Sequence, residues 1–289
     1  MKKKIILLFI LCIITLTITT GCNNDKLEGS NITTTIYPIE YLVNVLYGDK
    51  SNITSIYPND TDISKYELTE KQLNDYSKST SLFVYNGLSN EKEIAKTLIN
   101  KNSRLQIIDA SYGLKYKYGI EELWLNPNNY LMLANTIKDD LKNLSSSKYS
   151  AEQIEENYNK LEESLTTLDA ELRTIAKAAI KNNNETIIIA YNSFGFLEKY
   201  GFKIINISSE NNITSNIKNK FKDKTYTKIF VNDTDNISDS IKDIVDNYDA
   251  ELIEINTMAT LTDKERSNGD NYLTIMNDFI TKISDVVLE

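Results

Sequence analysis

The chain has 289 residues, 41% hydrophobic and 25% charged, with 32 Lys and Arg against 41 Asp and Glu, a net charge of -9 and a pI near 4.9. That length holds two modest domains, and the composition is globular rather than disordered or fibrous. Three lysines fall in the first 21 residues, so 29 bases face 41 acids in the rest, 29 − 41 = -12, and nucleic acid is excluded as a partner because no basic patch offsets phosphate repulsion. There is no histidine. Ser-His-Asp and Cys-His catalysis are therefore excluded.

The N-terminus reads as an export signal. Lys2, Lys3 and Lys4 precede an apolar run from Ile5 to Ile18, broken only by Thr15 and Thr17. The run is too short for a membrane span and ends in the small residues Thr19-Thr20-Gly21 ahead of Cys22. This pattern resembles a bacterial lipobox, although Thr19 stands where leucine is usual. Residues 1–21 are thus expected to be a signal peptide and Cys22 to carry lipid. Cleavage removes Cys12, so no thiol remains for a disulfide or a structural zinc site.

The segment Asp25 to Ser30 is short and polar, as a tether would be. Strand-like runs follow at Ile32–Tyr37, Asn52–Tyr57, Ser81–Tyr85 and Leu105–Asp109. Helical patterns lie between them at Ile39–Tyr47 and Thr69–Ser77, with Thr69 and Gln72 spaced as a capping box. From Ser150 to Lys181 there is neither proline nor glycine. Apolar residues recur there at Ile154, Tyr158, Leu161, Leu165, Leu168, Leu172, Ile175 and Ala179, one face of a helix roughly 48 Å long. Ser150 is its expected cap. Ala176, Ala178 and Ile180 widen the apolar face near the end, which suits packing on a globular body better than a coiled-coil seam. Alternation then resumes. Strands are expected at Thr186–Ala190, Lys203–Ile207, Lys228–Val231 and Glu251–Ile255, and helices at Phe194–Tyr200, Ser238–Asn247 and Tyr272–Val287, with Gly201 as a C-cap. The fold class is α/β: two lobes, each with a mostly parallel sheet flanked by helices, joined by one long helix. The expected boundaries are 22–148 for the first lobe, 149–183 for the connecting helix and 184–289 for the second.

Four segments carry the functional signal. They are Tyr57-Pro58 leading to Ser64-Lys65-Tyr66-Glu67, then Glu122-Leu123-Trp124-Leu125-Asn126-Pro127, then Tyr191-Asn192-Ser193-Phe194-Gly195-Phe196 with Tyr200-Gly201, and finally Gly269-Asp270-Asn271-Tyr272. In this order they resemble the zinc- and manganese-binding lipoproteins that feed ABC importers. The resemblance covers nearly all of the mature chain and implies the same two-lobed architecture. It also implies a ligand position at each segment, a histidine in the first three and an aspartate or histidine in the fourth. Here Ser64, Glu122, Tyr191 and Asp270 stand at those positions.

Two carboxylates, a phenol and a hydroxyl are all oxygen donors. They favour a hard divalent or trivalent metal ion as transported ligand, such as Mn²⁺, Mg²⁺, Ca²⁺ or Fe³⁺, over tight zinc binding. An acidic pocket with Tyr191 and Trp124 as walls equally suits a cationic organic solute. Trp124 also reads as plain core packing. The resemblance implies a monomer on the outer face of the cell membrane, partnered by an ABC permease, and not an enzyme. The Asn-, Lys- and Ile-rich composition fits a Gram-positive bacterium. The open alternative is a surface adhesin or interaction lipoprotein that kept the scaffold and lost the ligand.

Overall fold

The computed structural model describes residues 25–288, so the signal segment and Cys22 lie outside the described residues. The first four strands are β1 (Asn31–Thr34), β2 (Asn52–Ser55), β3 (Leu82–Tyr85) and β4 (Gln106–Asp109). All pair in parallel in the order β2-β1-β3-β4. β5 (Thr186–Ile189), β6 (Lys203–Asn206), β7 (Lys228–Val231) and β8 (Glu251–Glu254) repeat the arrangement as β6-β5-β7-β8. Central strands such as Leu82-Phe83-Val84-Tyr85 are buried along their length, because helices cover both faces of a parallel sheet. The strands are shorter than their apolar runs. Tyr37, for example, opens α1 (Tyr37–Tyr47), where Pro38 fits the first turn because its missing N–H is not needed there.

α2 (Glu70–Ser79) begins with the expected capping box. The Thr69 hydroxyl accepts from the Gln72 N–H at 3.3 Å, and the Gln72 side chain accepts from the Thr69 N–H at 2.9 Å. α3 (Glu91–Lys101), α4 (Glu122–Leu125) and α5 (Pro127–Leu144) complete the first lobe. The long helix α6 spans Lys148–Lys181, 34 residues. Its cap is Ser147 rather than Ser150: the Ser147 hydroxyl accepts from the Ser150 N–H at 3.3 Å, placing Ser150 inside the first turn. The expected helix at Phe194–Tyr200 is a 3₁₀ segment, Asn192–Tyr200, closed by Gly201 at φ 103°, a conformation glycine adopts without cost. The second lobe adds α7 (Ser215–Lys222), α8 (Asp239–Tyr248), α9 (Asp263–Asn268) and α10 (Tyr272–Leu288).

Every residue of the periodic stripe on α6, from Ile154 to Ala179, is buried, and the helix packs against α1, α5 and α10. One hydrophobic cluster runs through both lobes, from Ile32 and Phe83 through Leu165 and Leu172 to Phe194, Phe230 and Phe279. A smaller cluster around Phe221, Ile229 and Ile244 fills the far side of the second sheet. The interlobe part of the core is aromatic. Tyr272 stacks on Tyr130 with ring centroids 3.9 Å apart, and its hydroxyl donates to the Trp124 carbonyl at 2.6 Å. Tyr130 in turn donates to the Pro38 carbonyl at 2.7 Å.

One carboxyl is buried beneath the ends of the first sheet. Glu91 accepts from the Asn86 N–H at 2.8 Å, and burial raises its pKa from 4.5 to about 7 against the opposing pull of Thr35, Asn86 and Ser89. The folded chain therefore holds this proton more tightly than the unfolded chain.

Two outcomes are expected. Leu172→Ala removes a fully buried side chain from the α6 stripe and should cost about 2–5 kcal/mol in urea unfolding. The stability supplied by protonated Glu91 should be complete below pH 4.5 and lost as pH rises through about 7, a span worth on the order of 3 kcal/mol; Glu91→Gln should flatten that slope in unfolding curves.

Candidate functional site

In each sheet the chain runs outward from the first strand on one side and returns on the other, so the order reverses between β1 and β3 and again between β5 and β7. Loops leaving strand ends at such a reversal part from one another and open a crevice, the usual place for a ligand in an open α/β sheet. The segments after β1, β2, β5 and β8 and the short helix α4 all border this boundary between the lobes. Trp124 fixes α4 there by donating from its indole nitrogen to the Thr257 carbonyl at 2.6 Å. It is buried, as its core-packing reading requires, yet one atom of it ties the two lobes.

Ser64 lies in the exposed loop after β2. Its hydroxyl donates to Asp62 at 2.6 Å, and its N–H donates to the same oxygen at 3.0 Å. Lys65 holds the other Asp62 oxygen at 2.7 Å, and these bonds, Lys65 first, lower the Asp62 carboxyl to about 2. Ser64 is thus committed to a surface turn.

Glu122 is buried at the start of α4, where one carboxylate oxygen accepts the backbone N–H groups of Lys117 at 2.9 Å and Tyr118 at 3.1 Å. It borders a cavity of about 380 Å³ with Tyr118, Asn126, Glu198 and Lys199. Lys199 comes from the 3₁₀ segment of the other lobe, and burial lowers its pKa while Asp169 and Glu122 attract its charge. The carboxylate therefore already faces an internal cation.

Tyr191 lies two residues past β5, at the start of the 3₁₀ segment, and sets its ring edge-on to Phe194, with centroids 5.4 Å apart. Burial raises its phenol well above the ordinary value, and a hydrogen bond with Glu121 adds to this. Glu121 also accepts from Ser193 at 2.6 Å. The acid beside Tyr191 is thus Glu121, one residue before the position the motif marks. Two adjacent glutamates in the sequence were the available signal. The backbone contact is close here: a side chain on Gly195 would strike the Tyr118 ring, and one on Gly119 would strike Ser193.

Asp270 follows α9, its N–H donating to the Glu265 carbonyl at 3.0 Å. It borders a different cavity, about 550 Å³, with Glu254, Glu265, Asp278 and Lys282. The cavities at Glu122 and Asp270 share no residue, and neither includes Ser64 or Tyr191. Glu122 and Tyr191 stand on facing segments, whereas Ser64 is held in its own surface turn and Asp270 lines a separate cavity. Among the described residues, no group of three or more His, Cys, Asp or Glu is arranged to hold a metal ion. Sequence reasoning also missed the stretch 257–268 between β8 and the Gly269 motif, which crosses the boundary at Thr257 and beyond.

Comparison with known proteins agrees with this architecture. A high-affinity zinc uptake system protein, ZnuA, of Bacillus subtilis is 24% identical over 308 residues, covering 93% of each chain. Among solved structures, the metal-dependent lipoprotein YcdH of Bacillus subtilis superposes with a TM-score of 0.75 at 22% identity, covering 90% of this chain and 100% of that one. The Zn(II)-bound ZnuA-like domain of Streptococcus pneumoniae AdcA gives 0.72 at 20% identity, covering 90% and 99%. At these identities the structures establish the fold. The family model described as ZnuA, zinc-uptake complex component A, periplasmic, matches residues 32–286, and with that span of agreement the chain belongs to the ZnuA family of metal-ion solute-binding proteins.

Proposed function

We propose that this chain is a lipid-anchored extracytoplasmic solute-binding protein that delivers its cargo to an ABC permease through a histidine-free site. The family match over residues 32–286 carries this reading. Cys22 follows a signal-like run and supplies the anchor. Among the described residues, no helix is long and apolar enough to cross a membrane.

The cargo on this reading is a hard cation, and the chemistry favours the Asp270 side of the site. Glu254, Glu265 and Asp278 also border that cavity, but Thr234 holds Glu254, Thr262 and Asn256 hold Glu265, and Lys282 holds Asp278, so Asp270 is the carboxylate left to face an ion. Glu122 is the weaker donor, because Lys117 and Lys199 border its cavity and repel a second cation. Tyr191 with Glu121 contributes a phenol that stays protonated and serves as a neutral oxygen donor.

A second reading, a surface interaction lipoprotein that no longer carries a solute, is favoured by the partners already held by Ser64 and Glu122. Thermal melting separates the two. An ion supplied at 100 times its dissociation constant should add about 2.7 kcal/mol of stability. With Mn²⁺, Mg²⁺, Ca²⁺, Fe³⁺ and Zn²⁺ compared against chelator, the transport reading expects a rise with one hard ion. That rise should be abolished by Asp270→Ala and weakened by Glu122→Ala. Flat melting curves with every ion would leave the interaction reading. Membrane fractionation of Cys22→Ser should release the protein from the membrane in either case.

A further inference from the structure

The segment 257–266 follows β8 and belongs to the second lobe by chain position, but its polar groups reach into the first. The Thr257 carbonyl accepts from the Trp124 indole at 2.6 Å, and the Ala259 carbonyl accepts from the Tyr37 N–H at 3.0 Å. The Leu261 carbonyl accepts from the Asp60 N–H at 3.1 Å, and the Thr260 hydroxyl donates to the Thr61 carbonyl at 3.2 Å. Further along, the Asp263 N–H donates to the Asp60 carboxylate at 3.0 Å, and the Asp263 carboxylate accepts from the Asn59 amide at 2.7 Å.

The segment ends in a charge pair. Arg266 on α9 donates through both terminal nitrogens to Glu40 on α1, at 2.9 and 2.7 Å. Its Nε bonds Asn59, and its guanidinium lies 5.5 Å from the centre of the Tyr37 ring. The Glu40 side chain is only 12% exposed and that of Arg266 35%, so water screens the pair weakly. A bidentate guanidinium–carboxylate contact is directional as well as strong, and removing one partner leaves the other charge in a poorly hydrated place. Within the segment, Met258 is buried and holds φ at 59°, a region a side chain rarely adopts unless its surroundings impose it.

We propose that segment 257–266 is a strap binding the two lobes, that the Glu40–Arg266 pair is the pin holding its end, and that the crevice opens by release of this strap. The single α6 connector and the shared core resist a wide hinge motion. A strap made mostly of single hydrogen bonds to backbone groups is the part of the boundary that can let go locally. The reading does not depend on what the crevice carries.

Amide hydrogen exchange on the full chain tests this directly, because the Tyr37 and Asp60 N–H groups donate to strap carbonyls. In Arg266→Met, and separately in Glu40→Gln, exchange at these two amides should rise about tenfold or more while the β3 amide of Phe83 keeps its protection. Reversing the pair, Glu40→Arg with Arg266→Glu, should restore part of the protection. Arg173→Met, which breaks the Arg173–Asp169 pair on α6, should leave both amides as they were. Unchanged exchange at Tyr37 and Asp60 in both single variants would overturn the proposal. So would a rise no larger than that at Phe83, since the variants would then only lower global stability.

Discussion

Burial of one face of α6 is the constraint on which the rest of the molecule depends. Each sheet has four strands of four residues, too little surface to make a self-sufficient core. Both sheets are completed by helices that lean on the same 34-residue rod. The aromatic stack of Tyr130 and Tyr272 and the α6 stripe belong to one cluster, so the lobes are positioned by packing rather than by a flexible linker. The crevice exists because two identical strand orders, held by that rod, place their reversals along one boundary.

Much of this fold was legible because burial leaves a period in the sequence. The alternating steps of three and four from Ile154 to Ala179 name the buried face of α6 residue by residue. The Thr69–Gln72 pair and Gly201 mark ends that the backbone uses as read. Boundaries were less legible. Apolar runs continue past the last ladder hydrogen bond, so Ile32–Tyr37 shrinks to a strand of four residues and Tyr37 passes to a helix. α7 and α9 have only 8 and 6 residues and weak apolar faces, so tertiary contacts and caps decide them rather than periodicity.

The site was legible as a set of loops but not as a set of contacts. Motif order located Glu122 and Tyr191 on facing segments. It did not reveal that Glu122 is held by the Lys117 and Tyr118 amides, or that Glu121 is the acid beside Tyr191. Those details depend on where a loop folds back on itself, which no spacing records. The same holds for Glu40 and Arg266, 226 residues apart, which look in the sequence like ordinary surface charges.

The seating of Tyr272 also sets an order of assembly. Its ring stacks on Tyr130 and its hydroxyl reaches the Trp124 carbonyl, both in the first lobe, yet it lies on α10, 148 residues after Trp124. During synthesis the first sheet and α1 through α5 leave the ribosome long before α10 does. Until then the apolar flank that α10 covers is open, so the first lobe cannot reach its final packing by itself. Completion waits for the C-terminal segment, and through that interval a partly built core is exposed to whatever chaperone or export factor meets the nascent chain.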